Sequence, residues 1–371
     1  MSTVTVTKPA RRRAHFHKLA VAAVDELTDD AVAVTFVVPP ELRDAFDFRA
    51  GQHLTLRRTG VDDVRRSYSI CSTPAGLAGT GRLRIGVRLV PGGSFSEYLH
   101  RELKPGDLVE VMPPLGHFTT AFVPARARHY AGIAGGSGIT PVLSLVATAL
   151  DTEPESRFTL LYGNRYARSV MFSEELADLK DRYPTRLQVA HVLSREPQEA
   201  ELFSGRLDPE RLGRIFDSVL PPATVDEWFL CGPQGLVEGA RTALTERDVP
   251  AERVHVELFF VEGEQADRGT AMPPPDDGAD VVQVTATLDG RASSFTMGRG
   301  ERVLDAARRV RAEVPFACTG GVCGTCRAKL VGGEVRMVRN YALEPDELAA
   351  GYVLTCQSVP VTDTLTVDYD A

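Results

Sequence analysis

What this 371-residue chain lacks narrows it first. No apolar stretch is long enough to span a bilayer. The longest candidate, residues 130–150, is broken by four glycines and Pro141, so it reads as strand, turn and helix. The opening MSTVTVTKPARRRAHFHKLA has basic residues but no apolar signal core, so a cytoplasmic protein is expected. No block is basic enough for nucleic acid. Net charge is −8, and most of it lies in residues 261–280, where six acids face one arginine. Residues 281–371 set 11 acids against 10 Lys and Arg, which is nearly neutral. Histidines never recur at helical metal spacing, so His15, His17, His53 and His117 are read as structural. No set of histidines and carboxylates suits an oxygen-activating iron centre. Cysteines number six, and nothing marks the chain for export, so disulfides are not expected.

Four of those cysteines form a pattern. Cys318, Cys323 and Cys326 are spaced C-x4-C-x2-C in PFACTGGVCGTC, and Cys356 lies thirty residues on. This is the plant-type spacing for a [2Fe–2S] cluster held by four thiolates. Gly320, Gly321 and Gly324 let the backbone wrap closely and aim N–H groups at sulfur. Zinc sites usually pair two C-x2-C units, and only one is present. The remaining Cys71 reads as a buried thiol.

A one-electron centre needs a source of electrons. Residues 14–123 read as a small antiparallel barrel: AVAVTFVV (31–38), QHLTLR (52–57), LRIGVRLV (83–90) and LVEVM (108–112) are short strands bounded by turn residues. Within it, RSYS offers Arg66 to a pyrophosphate, the Tyr68 ring to a flat heterocycle and the Ser69 hydroxyl to a hydride-accepting nitrogen. Gly93, Ser94, Phe95 and Ser96 open a short helix whose N–H groups suit an anion. Together these read as a flavin site. Each motif taken singly reads equally well as plain strand or plain turn.

From 124 to 260 strands and helices alternate, which predicts a parallel, Rossmann-like sheet binding a nicotinamide nucleotide. The turn Gly135, Gly136, Ser137, Gly138 lets backbone approach a phosphate, with Thr140 as expected helix cap and Pro141 as first helical residue. Cys231, Gly232 and Pro233 end a later strand, where a small polarisable side chain admits the nicotinamide. Ser194 and Arg195 suit a 2′-phosphate and so favour NADPH, whereas Glu196 would suit a free ribose. Arg165 is a second phosphate candidate or a solvated loop arginine. Glu257, followed by Phe259 and Phe260, reads either as a proton-handling acid at the flavin edge or as an edge-strand carboxylate. With Ser69 and Cys231 it completes the expected catalytic set. Residues 261–280 read as a linker, and 281–371 as a compact mixed sheet gripping a helix, with a hairpin around Asp289-Gly290.

RSYS, GGSGITP, CGP and CTGGVCGTC, in this order, resemble the ferredoxin–NADP reductase superfamily with a fused C-terminal ferredoxin. The resemblance covers nearly the whole chain. It implies FAD at Arg66, Tyr68, Ser69 and 93–96, NAD(P)H at 135–141 and 231–233, and a β-grasp fold for the last domain. The stretches NYALEPDELAAGYVLTCQS (340–358) and TEPESRFTLLYGNR (152–165) are further similar to the reductase subunits of ring-1,2-phenylacetyl-CoA epoxidases. These feed a separate di-iron oxygenase in phenylacetate breakdown. The reductases of 3-ketosteroid 9α-hydroxylases share the domain order. The resemblance implies that electrons pass from NADPH through FAD and the [2Fe–2S] cluster to a separate oxygenase.

Overall fold

The structure is a computed structural model that describes residues 15–58, 64–259 and 281–371. The expected linker, residues 261–280, and Phe260 lie outside the described residues. Two compact units result, one holding the described residues from Phe16 to Phe259 and the other His15 with those from Val281 onward.

The first unit begins with a six-stranded antiparallel sheet. Its strands are β1 (His17–Thr28), β2 (Ala31–Val37), β3 (His53–Arg57), β4 (Arg65–Ser69), β5 (Arg82–Arg88) and β6 (Leu108–Val111), in the order β4-β3-β6-β1-β2-β5. An Ile70–Ile85 bridge brings the two edges together and closes the sheet as a barrel. Alternating residues such as Val32, Val34 and Phe36 fill it.

A five-stranded sheet follows, built from β7 (His129–Gly135), β8 (Arg157–Asn164), β9 (Leu187–Leu193), β10 (Glu227–Gly232) and β11 (Val254–Leu258). All neighbours are parallel, in the order β11-β10-β7-β8-β9. The chain winds from β7 outward to β9 and then returns to the other side of β7. That reversal leaves a crevice at the carboxyl ends of β7 and β10. One apolar cluster joins Ala31, Ala33, Ala50, Cys71 and Phe118 of the barrel side to Ile139, Leu145, Phe158 and Phe229 of the parallel sheet. The two halves therefore form one compact unit, because neither face is left to solvent.

His129, at the start of β7, is buried. Its Nδ1 lies 2.8 Å from the Thr224 carbonyl and its Nε2 2.9 Å from the Thr159 hydroxyl. That pairing suits a neutral ring donating from Nδ1 and accepting at Nε2. Burial, the largest cause, holds its pKa below the usual histidine value, and the Arg157 charge adds to this. The unfolded chain therefore takes up the proton first. Its stabilising contribution is fully present above the unfolded pKa of about 6.5 and is lost as pH falls toward the folded value. Urea unfolding between pH 5 and 7.5 is expected to show stability rising with pH. That slope should be smaller in His129→Gln.

The second unit carries β12 (Val281–Leu288), β13 (Arg291–Gly298), β14 (Arg327–Gly332), β15 (Val335–Met337), β16 (Tyr352–Leu354), β17 (Ser358–Pro360) and β18 (Thr364–Asp368). Five of these form a mixed sheet in the order β13-β12-β18-β14-β16, with β15 and β17 paired separately. The helix Val303–Val310 buries Val303, Leu304, Ala306 and Ala307 in this unit's core. The hairpin turns on Asp289 (φ 54°) and Gly290 (φ 70°), the left-handed pair that a two-residue turn demands.

Candidate functional site

The flavin-side residues stand on β4. Register with β3 sets Ser69 opposite His53 and Tyr68 opposite Leu54. The Tyr68 ring lies 6.1 Å from Phe95, which is itself buried on the helix Ser94–Arg101. Phe95 therefore backs Tyr68 rather than facing solvent. The Ser96 hydroxyl accepts from Val90 N at 3.1 Å and donates to Gly93 O at 3.0 Å, so it locks the turn. Arg66 is half-buried and donates to the Arg65 carbonyl.

On the nucleotide side, β7 ends at Gly135 and runs through Gly136-Ser137-Gly138 into the helix Ile139–Thr152. A Cβ on Gly138 would lie 2.3 Å from the Cys231 carbonyl oxygen, so only glycine lets this turn cross the end of β10. The expected capping role of Thr140 is corrected. The helix opens at Ile139 with Gly138 as its cap, and Thr140 is buried inside the first turn, donating to the Ser137 carbonyl at 3.0 Å. Pro141 is accordingly the third helical residue, not the first. The Tyr162 hydroxyl donates to Gly136 O at 2.9 Å and pins the turn from below.

Ser69, Cys231 and Glu257 meet across the seam between barrel and parallel sheet. The Ser69 hydroxyl donates to Glu257 Oε2 at 2.9 Å, and the Cys231 Sγ lies 4.0 Å from the same oxygen. Burial first, and the Glu257 charge second, push the Cys231 thiol well above its ordinary pKa, so it stays protonated. His53, expected from sequence to be structural only, brings Nδ1 to 3.8 Å from Glu257 Oε1. Only its place opposite Ser69 could have flagged it.

At the ends of β8 and β9, Ser194 N donates to Asn164 O and Arg195 N to Arg165 O, both at 2.9 Å. Arg165 and Arg195 are exposed side by side. Arg168, also exposed, stacks over Tyr166 at 5.2 Å and carries no motif that would single it out in the sequence. The Glu196 carboxylate accepts from Ala167 N at 2.8 Å and is thereby engaged by the chain itself.

In the second unit, Gly320, Val322 and Cys323 direct their N–H groups at the Cys318 sulfur, each at 3.4 Å. Cys318 is within bonding reach of Cys323, and Cys326 of Cys356. Gly321 and Gly324 take positive φ, and so does Thr319. Buried Gln357 braces the loop by donating to Thr319 O at 2.7 Å. Among the described residues no three His, Cys, Asp or Glu side chains close on one ion site. Four soft thiol donors thus gather at one loop, and a [2Fe–2S] cluster takes four thiolates, two to each iron, so the donor set fits one.

Family models agree with this layout. Residues 18–120 match an oxidoreductase FAD-binding domain, 133–242 an oxidoreductase NAD-binding domain and 286–361 a 2Fe-2S iron-sulfur cluster binding domain. The chain belongs to the family of flavin-dependent oxidoreductases with a fused [2Fe–2S] ferredoxin domain, the reductase components of oxygenase systems. Within it, the chain is 44% identical over 358 residues to a component of the 1,2-phenylacetyl-CoA epoxidase of Escherichia coli, covering 96% of this chain and 98% of that one. It is 36% identical to the ferredoxin reductase component of 3-ketosteroid-9-alpha-monooxygenase of Rhodococcus rhodochrous, over 95% of this chain and 96% of that one. Among solved structures, phthalate dioxygenase reductase matches with TM-score 0.56 and 25% identity, covering 95% of this chain and 98% of that one.

Proposed function

We propose that the protein is an NADPH-dependent reductase that delivers electrons to a separate di-iron phenylacetyl-CoA epoxidase complex in the cytoplasm. The observation that carries the redox reading is the meeting of Ser69, at the end of β4, with Cys231 and Glu257, paired at the carboxyl ends of β10 and β11. When bound, the nicotinamide would supply a hydride, the flavin would take it up as two electrons and a proton and release the electrons singly, and the cluster would carry them onward. Arg66 and the 93–96 turn would hold the flavin phosphates, with Tyr68 against its ring system. The Ser69 hydroxyl, its proton donated to Glu257, would leave its oxygen to accept from the N–H that the flavin carries when reduced. The turn 135–138 would hold the nucleotide pyrophosphate, and neutral Cys231 would sit beside the nicotinamide without adding charge. Cys318, Cys323, Cys326 and Cys356 would hold the cluster. The epoxidase as partner is favoured by the name of the Escherichia coli relative and by the higher identity to it, 44% against 36%. Among the described residues no helix is long and apolar enough to cross a membrane.

The NADPH reading rests on Arg165, Arg168 and Arg195 gathered at one edge while Glu196 is engaged by backbone. Replacing Arg195 by Leu is expected to lower kcat/KM for NADPH about 10-fold or more, with NADH changed less than about 3-fold. Steady-state reduction of cytochrome c with each nucleotide measures this. Equal losses with both would contradict the 2′-phosphate role. Supplying the purified protein to epoxidase and to 3-ketosteroid oxygenase components tests the partner, and turnover with only the latter would overturn the epoxidase reading.

A further inference from the structure

One face of β5 reaches the nucleotide half, although Arg84 and Arg88 also pair with Asp25 and Asp30 of the barrel. Alternate residues of a strand share a face, and Arg84, Gly86 and Arg88 do so here. Arg84 Nη1 donates to Glu175 Oε1 at 2.8 Å, and its guanidinium stands 5.3 Å from the Phe172 ring. Arg88 Nη2 donates to the Ser169 carbonyl at 2.6 Å, while its Nη1 lies 3.0 Å from where a Cβ on Gly136 would stand. Between them, a Cβ on Gly86 would come 2.6 Å from Thr140 Cγ2 and 2.8 Å from the tip of the Phe172 ring.

Gly86 sits inside a strand, where glycine ordinarily weakens the sheet. Close approach by another element is the usual reason for it, and here the approaching element carries the glycine turn of the parallel sheet. Phe172 is unusual in its turn. It is 1% exposed and has φ 59° and ψ 32°, a left-handed backbone that a bulky residue rarely adopts. Such strain persists only where the surroundings hold it. Phe172 also opens the helix Ser173–Arg182, its carbonyl accepting from Leu176 N at 3.0 Å.

We propose that Gly86 and Phe172 are a positioning pair that sets the spacing between flavin and nicotinamide. β5 leads directly into the 90–96 turn, and Thr140 belongs to the nucleotide turn. The contact thus lies between the two elements that would carry the cofactors. This rests on the flavin and nucleotide assignments made above. Neither residue would touch a cofactor itself, and Gly86 acts through Thr140 of the nucleotide turn. Their effect is on the distance over which the hydride moves, to which rate is steep: a misplacement of about 1 Å can cost about 100-fold.

The test uses the full-length protein with its flavin and cluster, and NADPH in an anaerobic stopped-flow instrument. In Gly86→Ala, flavin reduction at saturating NADPH should slow about 10- to 100-fold. Flavin content, NADPH Kd within about 3-fold and the dithionite-reduced cluster spectrum should be retained. Adding Phe172→Leu to that variant relieves the ring side of the clash, leaves the 2.6 Å approach of Thr140 Cγ2, and should recover part of the lost rate. Three results would overturn the proposal: a Gly86→Ala rate within about 3-fold of the unaltered protein, a loss confined to NADPH Kd, or no recovery in the double variant. Should Gly86→Ala fail to retain flavin, Phe172→Leu alone decides. A slower rate at saturation supports the pair, and an unchanged rate overturns it. Failure of NADPH and NADH alike to reduce the unaltered protein's flavin would sink the cofactor assignments instead.

Discussion

Serine in place of Cys326 is expected to abolish the visible and EPR signals of the iron–sulfur centre and to cut electron delivery to the oxygenase by more than about 100-fold. Cys326 is buried and stands against Cys356, so it would share one iron of the pair with it. A serine oxygen is harder and shorter than a thiolate, and it cannot replace a soft ligand at that spacing. The proposed flavin and nucleotide residues all lie in the other compact unit. Flavin reduction by NADPH should therefore stay within about 3-fold of normal, because no group at the hydride seam has changed. Iron analysis, EPR and stopped-flow on one preparation separate these outcomes. A serine variant that keeps a normal cluster signal would remove Cys326 from the ligand set.

The second large effect belongs to Glu257. Gln at this position keeps the shape but loses the charge, and its amide offers one acceptor where the carboxylate offers two. Ser69 donates to Oε2 at 2.9 Å and His53 approaches Oε1 at 3.8 Å, so both lose their charged anchor. Flavin reduction at saturating NADPH is expected to fall about 100-fold, within the range that a positioned proton-handling group supplies. Ser69→Ala should cost a similar factor, and the double variant little more than either alone, because the two act as one unit. An additive double variant, or an unchanged rate in Glu257→Gln, would contradict the role given to this pair.

Local chemistry makes much of the fold readable without coordinates. Asp289-Gly290 suits only a tight hairpin turn, and the strands either side fall where alternation puts them. The glycines before residue 139 mark a strand-to-helix turn, and the Cys318–Cys326 spacing names its own cofactor class. Other features are opaque because they depend on partners far along the chain. Ser69 and Glu257 are 188 residues apart, so their hydrogen bond has no local signature. β1 escapes a sequence reading because it alternates poorly and its register slips twice against β2. The helix Pro209–Ser218 is also easily passed over, although Asp208 caps it by accepting from Arg211 N. Thr140 misleads because a threonine before proline resembles a cap, while here the glycine turn itself curls into the helix start.

The most direct test of the electron path is anaerobic addition of NADPH, and separately NADH, to the purified full-length protein, followed by visible and low-temperature EPR spectra. Bleaching of the flavin followed by a rhombic signal from the reduced [2Fe–2S] cluster, faster with NADPH, is the predicted result. A bleached flavin with intact iron and no such signal would contradict it, because Cys318, Cys323, Cys326 and Cys356 would then hold something other than an electron-accepting cluster.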